Sequence, residues 1–200
     1  MAIDLQQIKD KQRIAIIGNE GTNEITKIVM HILDSVNKPY DHINLDEAHK
    51  ISDASIVIIQ GNFSKMTQAG YEEFLKFNHH IALIHHVEDE NSRDFNSIEE
   101  FIDKYETFAD NTPKSGTLLY NKEDNLAMVI GEKQREGVGL FEYESLPGNP
   151  IENGFCIDGK LNVLSGNTNF LSHAGATKSL LRLISISEEQ IMNGFSTYKD

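Results

Sequence analysis

Along the chain, short uninterrupted apolar runs alternate with segments whose apolar residues recur every three to four positions. The runs read as strands buried on both faces and the periodic segments as amphipathic helices. Their alternation predicts βαβ units around a mostly parallel sheet. Residues 13–18 (RIAIIG) are the first run, and over residues 23–36 Ile25, Ile28, Val29, Ile32, Leu33 and Val36 keep to one helical face. Pro39 limits that helix, because the residue before a proline is steered out of the helical region. Residues 40–45 supply a short second strand, 56–59 a third and 81–87 (IALIHHV) a fourth, with a helix around 67–77. Ser97-Ile-Glu-Glu100 has the form of a capping box, in which serine and glutamate satisfy each other's free backbone donors. It opens a helix that runs to about residue 109 and stops before Pro113. Residues 117–120 and 137–143 read as further strands.

From Pro147 the pattern changes. Residues 155–164 read as a hairpin, with Asp158-Gly159 as a two-residue turn that tolerates positive φ. A helix follows over residues 169–184. Ser187-Glu-Glu-Gln190 is a second capping box, opening a last helix that ends near Phe195. With no internal repeat, low-complexity tract or linker, the economical reading of residues 1–200 is a single α/β domain. It carries a small antiparallel annex near residues 138–165. At 200 residues the chain is long enough for one well-buried core and short for two.

Composition narrows the partners. No stretch approaches the roughly 20 apolar residues of a membrane span, and the N-terminal MAIDLQQIKDKQ is too polar for a secretory leader. A single cysteine, Cys156, offers no internal disulfide, so the cytoplasm is the expected address. Eighteen Lys and Arg against 31 Asp and Glu give a net charge of -13. Such a surface repels nucleic acids and anionic membranes, because both are bound chiefly through cationic side chains.

Candidate chemistry begins where the first strand runs through Gly18-Asn-Glu-Gly21-Thr-Asn-Glu24 into a helix. Glycines at a strand-to-helix turn let backbone amides approach a phosphate closely. They also serve simply to turn the chain, so both readings stand. This turn and its helix resemble the GTxGKTTT loop of the Mur ligases, the ATP-dependent enzymes that join amino acids or peptides to UDP-N-acetylmuramate. Residues 78–95, followed by SIEEFIDKYETFADNTPKSGTLLYNKED, resemble the family's stretch from its fourth strand onward. Gly166-Asn-Thr-Asn169 with Ala174, Gly175 and Ala176 resembles its G-x-H-N helix start, and residues 187–199 resemble its last central-domain helix. The muramate–alanine and muropeptide-recycling ligases are the closest in pattern. The resemblance implies a P-loop-NTPase-like sheet flanked by helices. It covers the family's central domain alone, and the UDP-binding and C-terminal domains have no counterpart in these 200 residues.

Carried over residue by residue, the resemblance implies nucleotide binding at Gly18, Asn19, Gly21, Thr22, Asn23 and Asn169. It also exposes departures. The loop lysine becomes Thr22, the metal-binding hydroxyl Asn23 and the acidic-motif carboxylate Gln60. Glu90 and Asn91 stand where the family has aspartate and the metal-site histidine, and His85 and His86 occupy the cluster's asparagine-like positions. ATP and Mg²⁺ are then cofactors only if the family's function is retained. The expectation is a non-catalytic binding or scaffold module that takes a protein partner or a cell-wall precursor. Two alternatives stand beside it. One is a component of an ATP-dependent UDP-N-acetylmuramate–amino acid or peptide ligase with substituted catalytic residues. The other is a binder of another small ligand or a metal.

His85, His86 and Glu88 mark a possible ligand edge at the C-terminal end of the fourth strand, with His42 and Glu90 within plausible reach. Adjacent strand histidines point to opposite faces and cannot chelate together, and solvated or hydrogen-bonded histidines are the alternative. Glu88, Asp89 and Glu90 read either as ligand groups or as a polar loop, Cys156 as packing rather than a nucleophile, and Asn169 as an adenine contact or a helix cap.

Overall fold

The computed structural model describes residues 4–43, 50–87 and 98–199 and divides into two compact units. The first unit, residues 1–22 and 39–142, is built on the strands β1 (Gln12–Ile17), β2 (Asp41–Ile43), β3 (Ile56–Gly61), β4 (Ile81–Ile84), β5 (Thr117–Asn121) and, but for its last residue, β6 (Gly139–Tyr143). They lie in the order β2-β3-β1-β4-β5-β6. The pairings β2/β3, β3/β1, β1/β4 and β4/β5 are all parallel, with Ile14 opposite Ile58 on one side and Ile81 on the other. Strands β1, β3 and β4 are buried at nearly every position, which is why they read as unbroken apolar runs.

The helices of this unit are α1 (Leu5–Ile8), α3 (Gln68–Leu75), α4 (Ile98–Asp110) and α5 (Asn125–Glu132). The core draws Ala15, Ile17, Val57, Ile59, Ala82 and Ile84 from the sheet and Tyr71, Phe74, Phe101, Tyr105 and Phe108 from α3 and α4. Phe63 sits at its aromatic centre, with ring centroids 4.9–5.5 Å from Tyr71, Phe74, Tyr105 and Phe108. Such edge and tilted contacts each add about 0.5–1.5 kcal/mol beyond area burial.

The second unit, residues 23–38 and 143–200, holds α2 (Thr22–Ser35) beyond its first residue, α6 (Phe170–Leu183) and α7 (Glu188–Thr197). It also holds a separate antiparallel sheet, β7 (Gly148–Ile151), β8 (Gly154–Ile157) and β9 (Leu161–Leu164). Helices α2 and α7 pack closely: a Cβ on Gly194 would lie 2.5 Å from Ile32, so only glycine fits. The capping box at Ser187 and Gln190 forms as the sequence implies.

Several expectations shift. The antiparallel annex spans 148–164, because Gly139–Tyr143 joins the large sheet beside β5. Its hairpin turn has Asp158 and Gly159 at positive φ, with Lys160 N–H donating to Ile157 O. β4 stops at Ile84, short of residue 87; beyond it His85 N–H still donates to Ile17 O and His86 O accepts from Asn19 N–H in the turn after β1. Helices α1 and α5 and strand β7 were not foreseen. The expected capping box at Ser97, the end of the second strand beyond residue 43, and the acidic cluster at Glu88, Asp89 and Glu90 lie outside the described residues.

Candidate functional site

In the first unit, Gly18, Asn62, His86 and Asp124 follow the C-terminal ends of β1, β3, β4 and β5. That is the edge at which open α/β sheets bind ligands. The turn after β1 is tight. A Cβ on Gly18 would lie 3.1 Å from the backbone N and O of His86, and Gly21 adopts φ +73°, which glycine alone takes without cost. Gly18 N–H donates to Gly61 O (3.2 Å) and Asn19 N–H to His86 O (2.7 Å). Thr22 begins α2 and is buried, while Asn23 and Glu20 are exposed.

Asn19 is the hub. Its carbonyl accepts from Asn62 Nδ2 at 2.6 Å, and its Oδ1 accepts from the Tyr105 hydroxyl at 3.1 Å. Burial, seconded by the charge of Asp124, raises the Tyr105 phenol far above its ordinary pKa, so it remains a donor. Beside it, His86 Nδ1 meets Asp124 Oδ2 at 2.6 Å, with the carboxylate 8% exposed and the imidazole 33%. The other Asp124 oxygen caps α5 by accepting from Ala127 N–H at 2.7 Å. Burial works against ionising Asp124. The hydrogen bonds from His86, Ala127 N–H and Val87 N–H outweigh it and hold the carboxyl below its ordinary range. An ionised carboxylate on Nδ1 fixes the tautomer and orientation of the ring, the usual means of holding a histidine ready for proton transfer or binding.

The other named positions separate. Gln60 lies near the end of β3, and its Oε1 is buried with no hydrogen-bond partner among the described residues. His85 is buried, its N–H donating to Ile17 O. Glu88, Glu90 and Asn91 lie outside the described residues. His79 is buried against the Phe108 ring and bonded to Thr112 Oγ1 at 2.9 Å. Burial, helped by His80 and Arg13, lowers it to about 3, so it stays neutral. Among the described residues no three His, Cys, Asp or Glu side chains converge to hold a metal ion. Cys156 is a free, half-buried thiol in β8.

In the second unit, Asn169 occupies the N-cap position of α6 but makes no side-chain cap bond. Its φ of -95° and ψ of 12° fall outside the extended region from which a cap side chain reaches the helix amides. Asn167 takes the polar role instead: its Oδ1 accepts from Asn169 N–H and its Nδ2 meets His173 Nδ1 at 3.1 Å. Asn167 and Gly166 line a cavity of about 680 Å³ together with Glu24, Lys27, Tyr198 and Lys199.

Tyr105, Asn62 and Asp124 were missed from sequence. Asp124 had a signal, since it closes the Asn121-Lys-Glu-Asp124 run at the end of the stretch that resembles the family. Tyr105 had none, being one aromatic on the apolar face of α4.

No protein-family model and no curated protein matches the sequence. Solved structures do match it in fold. The chain is similar to MurF from Acinetobacter baumannii (TM-score 0.77, 12% identity, 98% of this chain and 48% of that one). It is similar also to UDP-N-acetylmuramate:L-alanyl-gamma-D-glutamyl-meso-diaminopimelate ligase from Neisseria meningitides (0.72, 10%, 96% and 68%). A third is UDP-N-acetylmuramate-alanine ligase MurC from Thermotoga maritima (0.67, 16%, 96% and 46%). The chain thus spans between about half and two thirds of these structures' own lengths. No helix among the described residues is long and apolar enough to cross a membrane. The six-stranded parallel sheet, its flanking helices and the separate antiparallel sheet together make this a Mur-ligase-like fold, fitting that family's central domain alone.

Proposed function

We propose that this chain is a Mur-ligase-like domain that acts as a binding or scaffold module, in the cytoplasm, without ATP-dependent ligase chemistry. The observation that carries the reading is the turn after β1. A phosphate-cradling loop works by aiming unpaired backbone N–H groups at the anion, and here Gly18 and Asn19 N–H already donate to Gly61 O and His86 O. Thr22, Asn23 and Gln60 stand where the resemblance calls for a lysine and two magnesium-site oxygens, and all three are neutral. Glu20 and Glu24 add negative charge to the same turn. Two like charges about 5–6 Å apart repel by on the order of 3 kcal/mol at an effective dielectric of about 20. The residues present therefore do not suit a magnesium-bound triphosphate. Glu24, in the first turn of α2, instead stabilises that helix by about 0.3–1 kcal/mol.

A binding role is supported by the cavity around Asn167, which offers two lysines, a glutamate and a tyrosine. Its partner is a protein or a cell-wall precursor. Isothermal titration with Mg-ATP tests the reading: no binding heat is expected through the millimolar range, and micromolar, magnesium-dependent binding would overturn it. Thermal melting with and without a UDP-N-acetylmuramyl peptide tests the precursor arm, where a concentration-dependent rise in Tm is expected.

A further inference from the structure

At the opposite, N-terminal edge of the parallel sheet, Arg13, the second residue of β1, is only 8% exposed, and no carboxylate among the described residues pairs with it. Its Nε donates to Asn78 O (2.7 Å), its Nη1 to Ile8 O (3.2 Å) and Lys9 O (3.0 Å), and its Nη2 meets His80 Nε2 (2.9 Å). A guanidinium carries five N–H groups, so these four acceptors leave one N–H over. The deficit deepens at His80, whose other nitrogen faces the Arg13 backbone N–H at 3.2 Å. A neutral imidazole accepts at only one nitrogen and so cannot serve both contacts. Among the described residues Arg13 therefore combines an uncompensated buried charge with more donors than acceptors, a state proteins relieve with an acceptor from outside.

A cavity of about 220 Å³ adjoins it. Its lining is Leu5, Ile8, Lys9, Arg13, Lys76, Phe77 and Asn78, which makes three cations and no acid in a chain of net charge -13. Lys76 is engaged with Glu73 at 3.0 Å, whereas Lys9 is exposed and has no acid partner among the described residues. Leu5, 40% exposed, and the buried Ile8 and Phe77 supply an apolar wall.

We propose that this cavity is a binding site for a small organic carboxylate. The carboxylate is held by Arg13 and Lys9, and its hydrocarbon or aromatic body lies on Leu5, Ile8 and Phe77. A carboxylate offers two oxygens to the spare guanidinium N–H and to the lysine, and its charge is what Arg13 lacks. The size of the cavity restricts the body to about one ring or a short chain. The site lies on unused chemistry, away from the turn after β1, and stands or falls separately from the function proposed above.

The test is a ¹H–¹⁵N correlation titration of the full chain with benzoate, with benzamide as the uncharged isostere and inorganic phosphate as an anion without an apolar body. Benzoate is expected to shift the amide signals of Leu5, Ile8, Lys9, Phe77 and Asn78 saturably. Benzamide should leave them in place, and phosphate should bind roughly tenfold more weakly. Lys9→Glu, at an exposed position that does not threaten folding, is expected to weaken benzoate by about tenfold or more with an unchanged Tm. The proposal is overturned if benzoate produces no saturable shift at these amides. It is equally overturned if benzamide or phosphate matches benzoate, or if Lys9→Glu binds benzoate as well as the parent chain does.

Discussion

At the C-terminal ends of β1, β3, β4 and β5, groups from four loops close on one another. Asn62 and Tyr105 donate to Asn19, and His86 is clasped by Asp124. At the N-terminal end of β1, by contrast, Arg13 faces carbonyls and one imidazole with a surplus of donors and, among the described residues, no acid. The fold places ligands at the first edge, where the buried Gln60 Oε1 has no partner among the described residues, while a surplus of donors around a buried cation lies at the second. Topology states where a site can be. Whether that site is open depends on how far its polar groups are already committed to each other.

The sharpest way to break this contrast is Arg13→Met. It removes the donors to the buried Ile8 O and the part-buried Asn78 O and Lys9 O, at an expected cost of about 3 kcal/mol. The urea midpoint reads this directly, and a loss under about 1 kcal/mol would mean that water serves those carbonyls and the donor surplus is not real. Next is Asp124→Asn, which keeps a capping side chain but loses the charged partner of His86, at about 2 kcal/mol. Its pH dependence follows from the depressed carboxyl. The stabilisation is fully present above the ordinary carboxylate range and is lost as pH falls below about 4, through the lowered folded value. Melting curves across acidic pH should therefore converge for the parent and the variant, and parallel curves would refute the pairing.

Tyr105→Phe removes one neutral hydrogen bond to Asn19 and should cost about 1 kcal/mol. A neutral outcome in chemical denaturation would show that Asn19 is held by its backbone contacts alone. The smallest effect belongs to Lys76→Gln. Its pair with Glu73 is 60% exposed on the lysine side and should contribute less than about 0.5 kcal/mol to stability. A larger loss would mean that Lys76 belongs to the Arg13 network.

Much of the architecture was legible because burial on both faces leaves a trace in composition. β1, β3 and β4 admit almost nothing polar, and α2 and α4 repeat their apolar residues at helical spacing. The turn after β1 was legible through its glycines, one needed for close approach to His86 and the other for positive φ. α5 was not, since its five consecutive apolar residues from Leu126 to Ile130 show no stripe, and the cap that starts it is a residue whose other oxygen is bound to His86. β7 was hidden by Pro150, which removes a ladder donor and reads as a break.

From the sequence alone follow the βαβ alternation, the acidic surface and the absence of a cation from the first glycine turn, because all three are properties of residue identity and order. Tertiary structure decided the rest: that Gly139–Tyr143 extends the large sheet, that Asp124 meets His86, and that Arg13 and Lys9 line one cavity with no acid among its lining residues. The physical reason is that a hydrogen bond or an ion pair depends on which atoms arrive within about 3 Å of one another. Residues 38 and 65 positions apart come that close only when a sheet and its crossovers bring them there.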